Sequence, residues 1–155
     1  KLHPMQFIEP KLEIIVSKLE RLKETDKPLW GSMSAQRMVE HLSDSIRLAF
    51  GDHSISLQIP EDKVKWAQDF LRTDVPLPKN FEAVFAKPKT PFRNNNIQSA
   101  ISDFKSDWRN FESHFAMQPE TKTLHPYFGE LNFELWKTMH SKHITHHLEQ
   151  FGVVV

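Results

Sequence analysis

Ile97, Ile101, Phe104, Trp108, Phe111 and Phe115 follow one another at intervals of four and three residues without a break. That spacing places all six on one face of an α-helix of about five turns, because the helix repeats every 3.6 residues. A seam of six large apolar side chains cannot be left in water. The rest of the chain must therefore supply other helices with apolar faces to cover it.

Three further segments carry such a face. In the first, residues 8–23, Ile8, Leu12, Ile15, Val16, Leu19 and Leu22 recur at helical spacing, and Pro10 is tolerated only in the first turn. In the second, residues 35–50, the inner face reads Met38, His41, Leu42, Ser45, Leu48 and Ala49, and Ser34 is placed to cap the free N–H groups of the first turn. The seam helix itself runs over 97–115. The last helix runs over 133–151, with Asn132 as its cap and Gly152 just beyond its end. All four glycines flank these helices, where a residue without a Cβ is most useful.

Residues 51–95 differ in kind. Five of the ten prolines fall here, and only Glu61–Leu71, following Pro60, has a short helical pattern, with Val64, Ala67, Phe70 and Leu71 inward. Long irregular connections inside a compact domain are usually crossovers or lids. Four amphipathic helices and one long crossover between the second and third predict an all-α four-helix bundle, with residues 1–155 as a single domain.

Composition narrows the function. Twenty basic residues balance twenty acidic ones, so no basic face recommends nucleic acid as a partner. The short basic run Lys87–Arg93 reads as a solvated loop. The absence of cysteine removes disulfide scaffolds, thiolate zinc sites and cysteine nucleophiles. No apolar run approaches the roughly 18–20 residues of a membrane span and no signal peptide is evident, so the expectation is a cytoplasmic protein with no membrane partner.

The chemistry concentrates on the last helix, where His140, His143, His146 and His147 lie within eight residues. His143 and His147, four apart, stand one above the other on one face and can grip a single ion. The metalloprotease motif H-E-x-x-H uses the same spacing, but its general base is missing because Ile144 stands in the second position. A third ligand must come from another helix, and His41 is the only histidine of the second. His41 is seventh from the start of its helix, while His147 and His143 are four and eight residues from the end of theirs. Antiparallel helices bring all three to one height; parallel ones would separate them by roughly 6–12 Å.

Alone, an inward imidazole such as His41 is an ordinary hydrogen-bonded core residue; three at one height point to a divalent metal. Three nitrogen ligands leave a position open, the arrangement of catalytic sites. Imidazole ligands suit zinc, nickel or iron alike. Gln150, one turn beyond His147, and Asp44, one turn beyond His41, are placed to hold the outer ring nitrogens. His146 reads as a supporting or packing residue and His140 as either, while His3, His53 and His114 read as surface residues.

The run His143-Ile-Thr-His-His-Leu-Glu-Gln150 resembles the H-x-x-H-H-x-x-Q signature of the DinB/YfiT superfamily. Residues 30–42, Trp-Gly-Ser-Met-Ser-Ala-Gln-Arg-Met-Val-Glu-His-Leu, and His125-Pro-Tyr-Phe-Gly129 resemble the second-helix region and the entry to the last helix in one DinB-like branch. The resemblance spans about residues 30–152. It implies an up-down-down-up bundle and a metal on the residues matching His41, His143 and His147. It further implies thiol-dependent transfer or isomerisation with bacillithiol, mycothiol or glutathione in several relatives, and homodimers in many.

The expected function is a metal-dependent enzyme, a thiol-dependent S-transferase or a hydrolase acting on a small electrophile. The crossover, the His125–Gly129 loop and Trp136 are expected to shape its pocket. The alternatives are a non-catalytic module that binds a ligand or a protein through its metal, and a bundle whose histidines merely hydrogen-bond in the core.

Overall fold

The computed structural model describes residues 6–51, 54–79 and 90–155. Lys87 and Lys89 of the basic run, together with His3 and His53, lie outside the described residues. The described residues are mostly helical: α1 Leu12–Leu19, α2 Ala35–Leu48, a 3-10 turn Glu61–Lys63 leading into α3 Val64–Leu71, α4 Ile97–Met117 and α5 Phe133–Gln150. A small antiparallel hairpin, β1 Thr123–His125 and β2 Gly129–Leu131, precedes α5. Among the described residues no helix is long and apolar enough to cross a membrane.

The α4 seam behaves as its spacing requires. All six of its apolar residues are buried, and so is the whole inner face of α2. Helix ends follow local chemistry: the side chains of Ser34, Asn96 and Asn132 accept from the backbone N–H groups of Arg37, Ser99 and Leu135, each replacing a hydrogen bond that the first turn lacks.

Side-chain contacts fix the directions of the helices. Gln36 donates to the Asn94 carbonyl and, further on, Arg47 pairs with Asp107, so α2 and α4 run parallel. His41 meets His143 and His147 while Ala49, two turns on, reaches Trp136 through Thr123, so α2 and α5 run antiparallel. That is the arrangement the histidine heights demand. The long passage between α2 and α4, which includes α3, allows two consecutive long helices to be parallel.

Two features differ from the sequence expectation. The first helix spans Leu12–Leu19 rather than 8–23. Lys11 is extended, and Pro10 lies outside the helix. Ile8 is still buried, held outside the helix by the Thr145 hydroxyl, which accepts from its N–H at 2.9 Å, and by the Ser141 hydroxyl, which donates to its carbonyl. The hairpin is the second difference. Its strands are three residues each, too short for an alternating pattern to show. Thr123 locks it in place, donating to the Ala49 carbonyl and accepting from Trp136 Nε1, both at 2.8 Å. At Gly129, φ is +75° and a Cβ would stand 2.6 Å from Val64 Cγ1, so only glycine lets α3 pack this closely on the hairpin. Gln68 completes that contact by donating to the carbonyls of Phe128 and Glu130, both at 3.0 Å.

Candidate metal centre

Because α2 and α5 are antiparallel, one turn of α5 and one residue of α2 form a triangle of imidazoles. The ring centroids are 4.9 Å apart for His41 and His143, 4.9 Å for His41 and His147, and 4.7 Å for His143 and His147. His143 Nε2 lies 3.1 Å from Nε2 of each of the other two. Three nitrogens on a tetrahedral ion at about 2.0–2.1 Å stand about 3.3 Å apart. The observed spacing therefore fits one ion with little rearrangement, and all three candidate ligand atoms lie within 4.8 Å of one another. Among the described residues these three are the only such group.

Protonation supports the same reading. Burial pushes His41 down to about 4, and burial followed by the neighbouring imidazoles holds His143 and His147 well below the ordinary histidine range. The rings are neutral near pH 7, the form in which an imidazole ligates a metal.

The tautomer of His147 follows from its neighbour. Gln150 Nε2 donates to the Trp30 carbonyl at 3.0 Å, so its Oε1 faces the histidine as an acceptor. His147 Nδ1, 2.7 Å from that oxygen, must carry the proton. Its Nε2 lone pair is then directed at the other two rings. Gly31 allows this anchor: its φ is +76°, and a Cβ there would stand 3.2 Å from Gln150 Nε2.

Asp44, expected to support His41, does not do so. Its carboxylate pairs with Arg93, because it projects from the side of α2 that meets the returning crossover. Glu40 has the larger role on that side. Its buried carboxylate accepts from Arg93 N at 2.9 Å, Asn94 N at 3.1 Å, Asn94 Nδ2 at 3.2 Å and Gln36 Nε2 at 3.3 Å. Burial works to raise its pKa, but these donors outweigh it and hold the group below the usual carboxylate value. Glu40 thus clamps the entry to α4 onto the residue next to His41.

The other candidates divide by height. His146 is beside the triad, with its ring 4.8 Å from His147 and 5.7 Å from Trp30. It lines a cavity of about 440 Å³ with Trp30, Leu77, Lys79, Lys142 and Glu149 among its walls. Trp136 is seven residues before His143, about 10 Å down the helix, and His125 packs on it at 5.4 Å. These two are core residues below the site and not its mouth. His125 Nδ1 accepts from Tyr127 N at 3.1 Å, and burial pushes the ring down to about 3. His140 lies between the two levels, enclosed by Trp108, Phe111 and Trp136. Among the described residues neither of its nitrogens has a hydrogen-bond partner.

Sequence reasoning did not single out Glu40, Lys142 or the Trp30 carbonyl. Lys142 is buried, with Nζ donating to the carbonyls of Phe70 at 3.0 Å and Val75 and lying 4.1 Å above the Phe70 ring. A backbone carbonyl can come from any residue type, and a buried lysine looks like a surface one in a list of charges. Only the run of residues 30–42 drew attention to the region of Trp30 and Glu40.

Compared with protein-family models, with curated proteins and with solved structures, the chain matches none.

Proposed function

We propose that this protein is a metal-dependent enzyme of the DinB/YfiT type, an up-down-down-up four-helix bundle of α1, α2, α4 and α5 with one divalent ion on His41, His143 and His147. The observation that carries this reading is the near-equilateral triangle of neutral imidazoles, with its 3.1 Å nitrogen separations. Three histidines would leave at least one position open, and an ion there supplies the Lewis acidity that makes a thiol or water nucleophilic near neutral pH. The reaction class we favour is transfer of a low-molecular-weight thiol to a small electrophile, or its hydrolysis.

The residues of the chain divide the remaining work. Gln150 fixes the tautomer and orientation of His147. Glu40 holds the returning crossover against α2. The cavity beside His146 has the size of a small-molecule site and mixes apolar walls with the ammonium groups of Lys79 and Lys142. A second reading, a non-catalytic metal-dependent binding module, is favoured by the closure of the triad: His41, His143 and His147 are only 6%, 8% and 7% exposed.

Elemental analysis of tag-free protein, beside His41→Ala and His143→Ala variants, tests the centre. About one equivalent of transition metal in the parent, lost in both folded variants, is the expected result. A parent that neither holds nor takes up zinc, nickel, iron or manganese would overturn it. With the metal established, turnover with bacillithiol, mycothiol, glutathione or hydrolysable substrates, lost in His143→Ala, separates enzyme from binding module.

A further inference from the structure

One turn below the triad, the inner faces of three helices present polar atoms that no group among the described residues satisfies. Ser45 follows His41 by four residues on α2, and His140 precedes His143 by three on α5. With α2 and α5 antiparallel, both descend from the triad, by about 6 and 4.5 Å, to nearly one height. Trp108 of α4 belongs to that level too. Its ring centroid is 5.9 Å from that of His140, and its neighbour Asp107 pairs with Arg47, two residues beyond Ser45. Ser45 Oγ, Trp108 Nε1 and both nitrogens of His140 are buried without a hydrogen-bond partner among the described residues. Each of the three residues is at most 1% exposed.

Four unsatisfied polar atoms at one level of a core are out of keeping with packed proteins, in which such groups nearly always have partners. The walls cannot supply them: Phe111 and Trp136 turn ring faces and edges toward His140, and Trp136 Nε1 is already spent on Thr123. The three residues do not satisfy one another directly. Their chemistry is complementary all the same. Trp108 offers only a donor, a neutral imidazole offers one donor and one acceptor, and the serine hydroxyl offers both. A water molecule, which donates twice and accepts twice, is the smallest group that can join a donor, a hydroxyl and an imidazole that stand too far apart to bond.

We infer that Ser45, Trp108 and His140 form an internal binding site for an ordered water molecule beneath the histidine triad. The water accepts from Trp108 Nε1 and bridges to His140 and to the Ser45 hydroxyl, so that His140 is held as one neutral tautomer. The site does not depend on the metal reading. It is built from residues that do not belong to the triad, and it is occupied whether or not an ion sits above it.

A crystal structure of the wild-type protein at about 1.5 Å or better, metal-free and zinc-soaked, tests the site directly. The expected result is density for a water within hydrogen-bond distance of at least two of Ser45 Oγ, Trp108 Nε1 and a His140 ring nitrogen, in both forms. In solution, 15N-labelled wild-type protein should show a cross-peak between the Trp108 indole proton and a long-lived water, with Trp108→Phe assigning the signal. A single neutral His140 tautomer should appear in long-range 1H–15N spectra. A dry site, or a direct bond from these atoms to another protein group, overturns the inference. So does loss of the water on removing the metal. A triad that proves unable to bind metal leaves the inference standing, so the two failures are distinguishable.

Discussion

Gln150 Oε1 lies 2.7 Å from His147 Nδ1, while the amide of the same glutamine donates to the Trp30 carbonyl at 3.0 Å. A side-chain amide fixed at its nitrogen end has no freedom to exchange its two ends. Its oxygen therefore dictates where the histidine carries its proton, and Trp30 dictates the glutamine. One chain of hydrogen bonds runs from the loop before α2 to the face of α5 that would hold the ion.

Breaking that chain should weaken metal binding without removing a ligand. Gln150→Leu deletes the acceptor and leaves the His147 Nδ1 proton unpaired, and loss of such an outer partner typically costs 10–100-fold in affinity. Gly31→Ala should act in the same direction from the other end, because its Cβ would press on Gln150 Nε2 and its backbone would be strained. Zinc competition against a chromophoric chelator reads both. An unchanged Kd in Gln150→Leu would mean that the hydrogen bond does not orient the ligand.

Acid should destabilise the metal-free protein, and the buried histidines set the window. His125 has an ordinary unfolded value near 6.5 and is pushed down to about 3 by burial; His41 is pushed down to about 4. In both cases the unfolded chain binds the proton more readily. Their contribution to stability is complete above about pH 6.5 and is lost progressively as pH falls toward the folded values. For His125 alone the full loss is on the order of 5 kcal/mol, a large share of a typical 5–15 kcal/mol total. Urea unfolding followed by tryptophan fluorescence at pH 7.5, 6 and 5 should show midpoints that fall with pH. Equal midpoints across that range would contradict the burial of neutral rings.

The elements that the sequence revealed are those whose cause is local. A 3.6-residue repeat is written in the order of residues, so the α4 seam and the inner face of α2 could be read directly. Ser34 and Asn132 cap helices through their own side chains. The triad was legible because two ligands share a helix face and the third could be placed by counting turns. Asp44 was misplaced by the same counting. One turn from His41 is close along the helix axis, but its direction around the axis takes it to Arg93 instead. Hairpin β1–β2 was hidden because its strands are short and its anchor, Thr123, touches residues far away in sequence. Half of the partners of Glu40 and most of those of Lys142 are backbone groups, which no residue pattern encodes.

Lys142 gives a third prediction. Its ammonium closes off the carbonyls of Phe70 and Val75 where α3 ends and lies between the rings of Phe70 and Phe7, at 4.1 and 5.0 Å. Lys142→Ala would leave a cavity and the Val75 carbonyl without its donor, at a cost of about 1–3 kcal/mol for that unpaired group alone, while the Phe70 carbonyl keeps the N–H and hydroxyl of Thr73. Lys142→Met keeps most of the stem and should recover part of the packing but not the hydrogen bonds. Urea midpoints in the order wild type, Met, Ala are expected, with faster limited proteolysis between residues 64 and 79. An alanine variant as stable as the parent would show that the buried ammonium contributes nothing net.

Glu40 carries the fourth prediction. The carboxylate takes four donors, two of them the successive backbone N–H groups of Arg93 and Asn94. Glu40→Gln is nearly the same size, yet one of its two ends becomes an NH2 group facing those donors. Every way of turning the amide leaves at least one N–H opposed by another. Charge-assisted bonds are also replaced by neutral ones of roughly half the strength. The expected loss is about 1–3 kcal/mol in unfolding free energy. Because the clamp secures the segment entering α4 and not the histidine rings, zinc affinity in Glu40→Gln should change far less than in Gln150→Leu. Measuring both quantities on both variants separates the support of the crossover from the support of the ligands. A Glu40→Gln protein that folds with full stability would show that the backbone of residues 93–94 is held by other means.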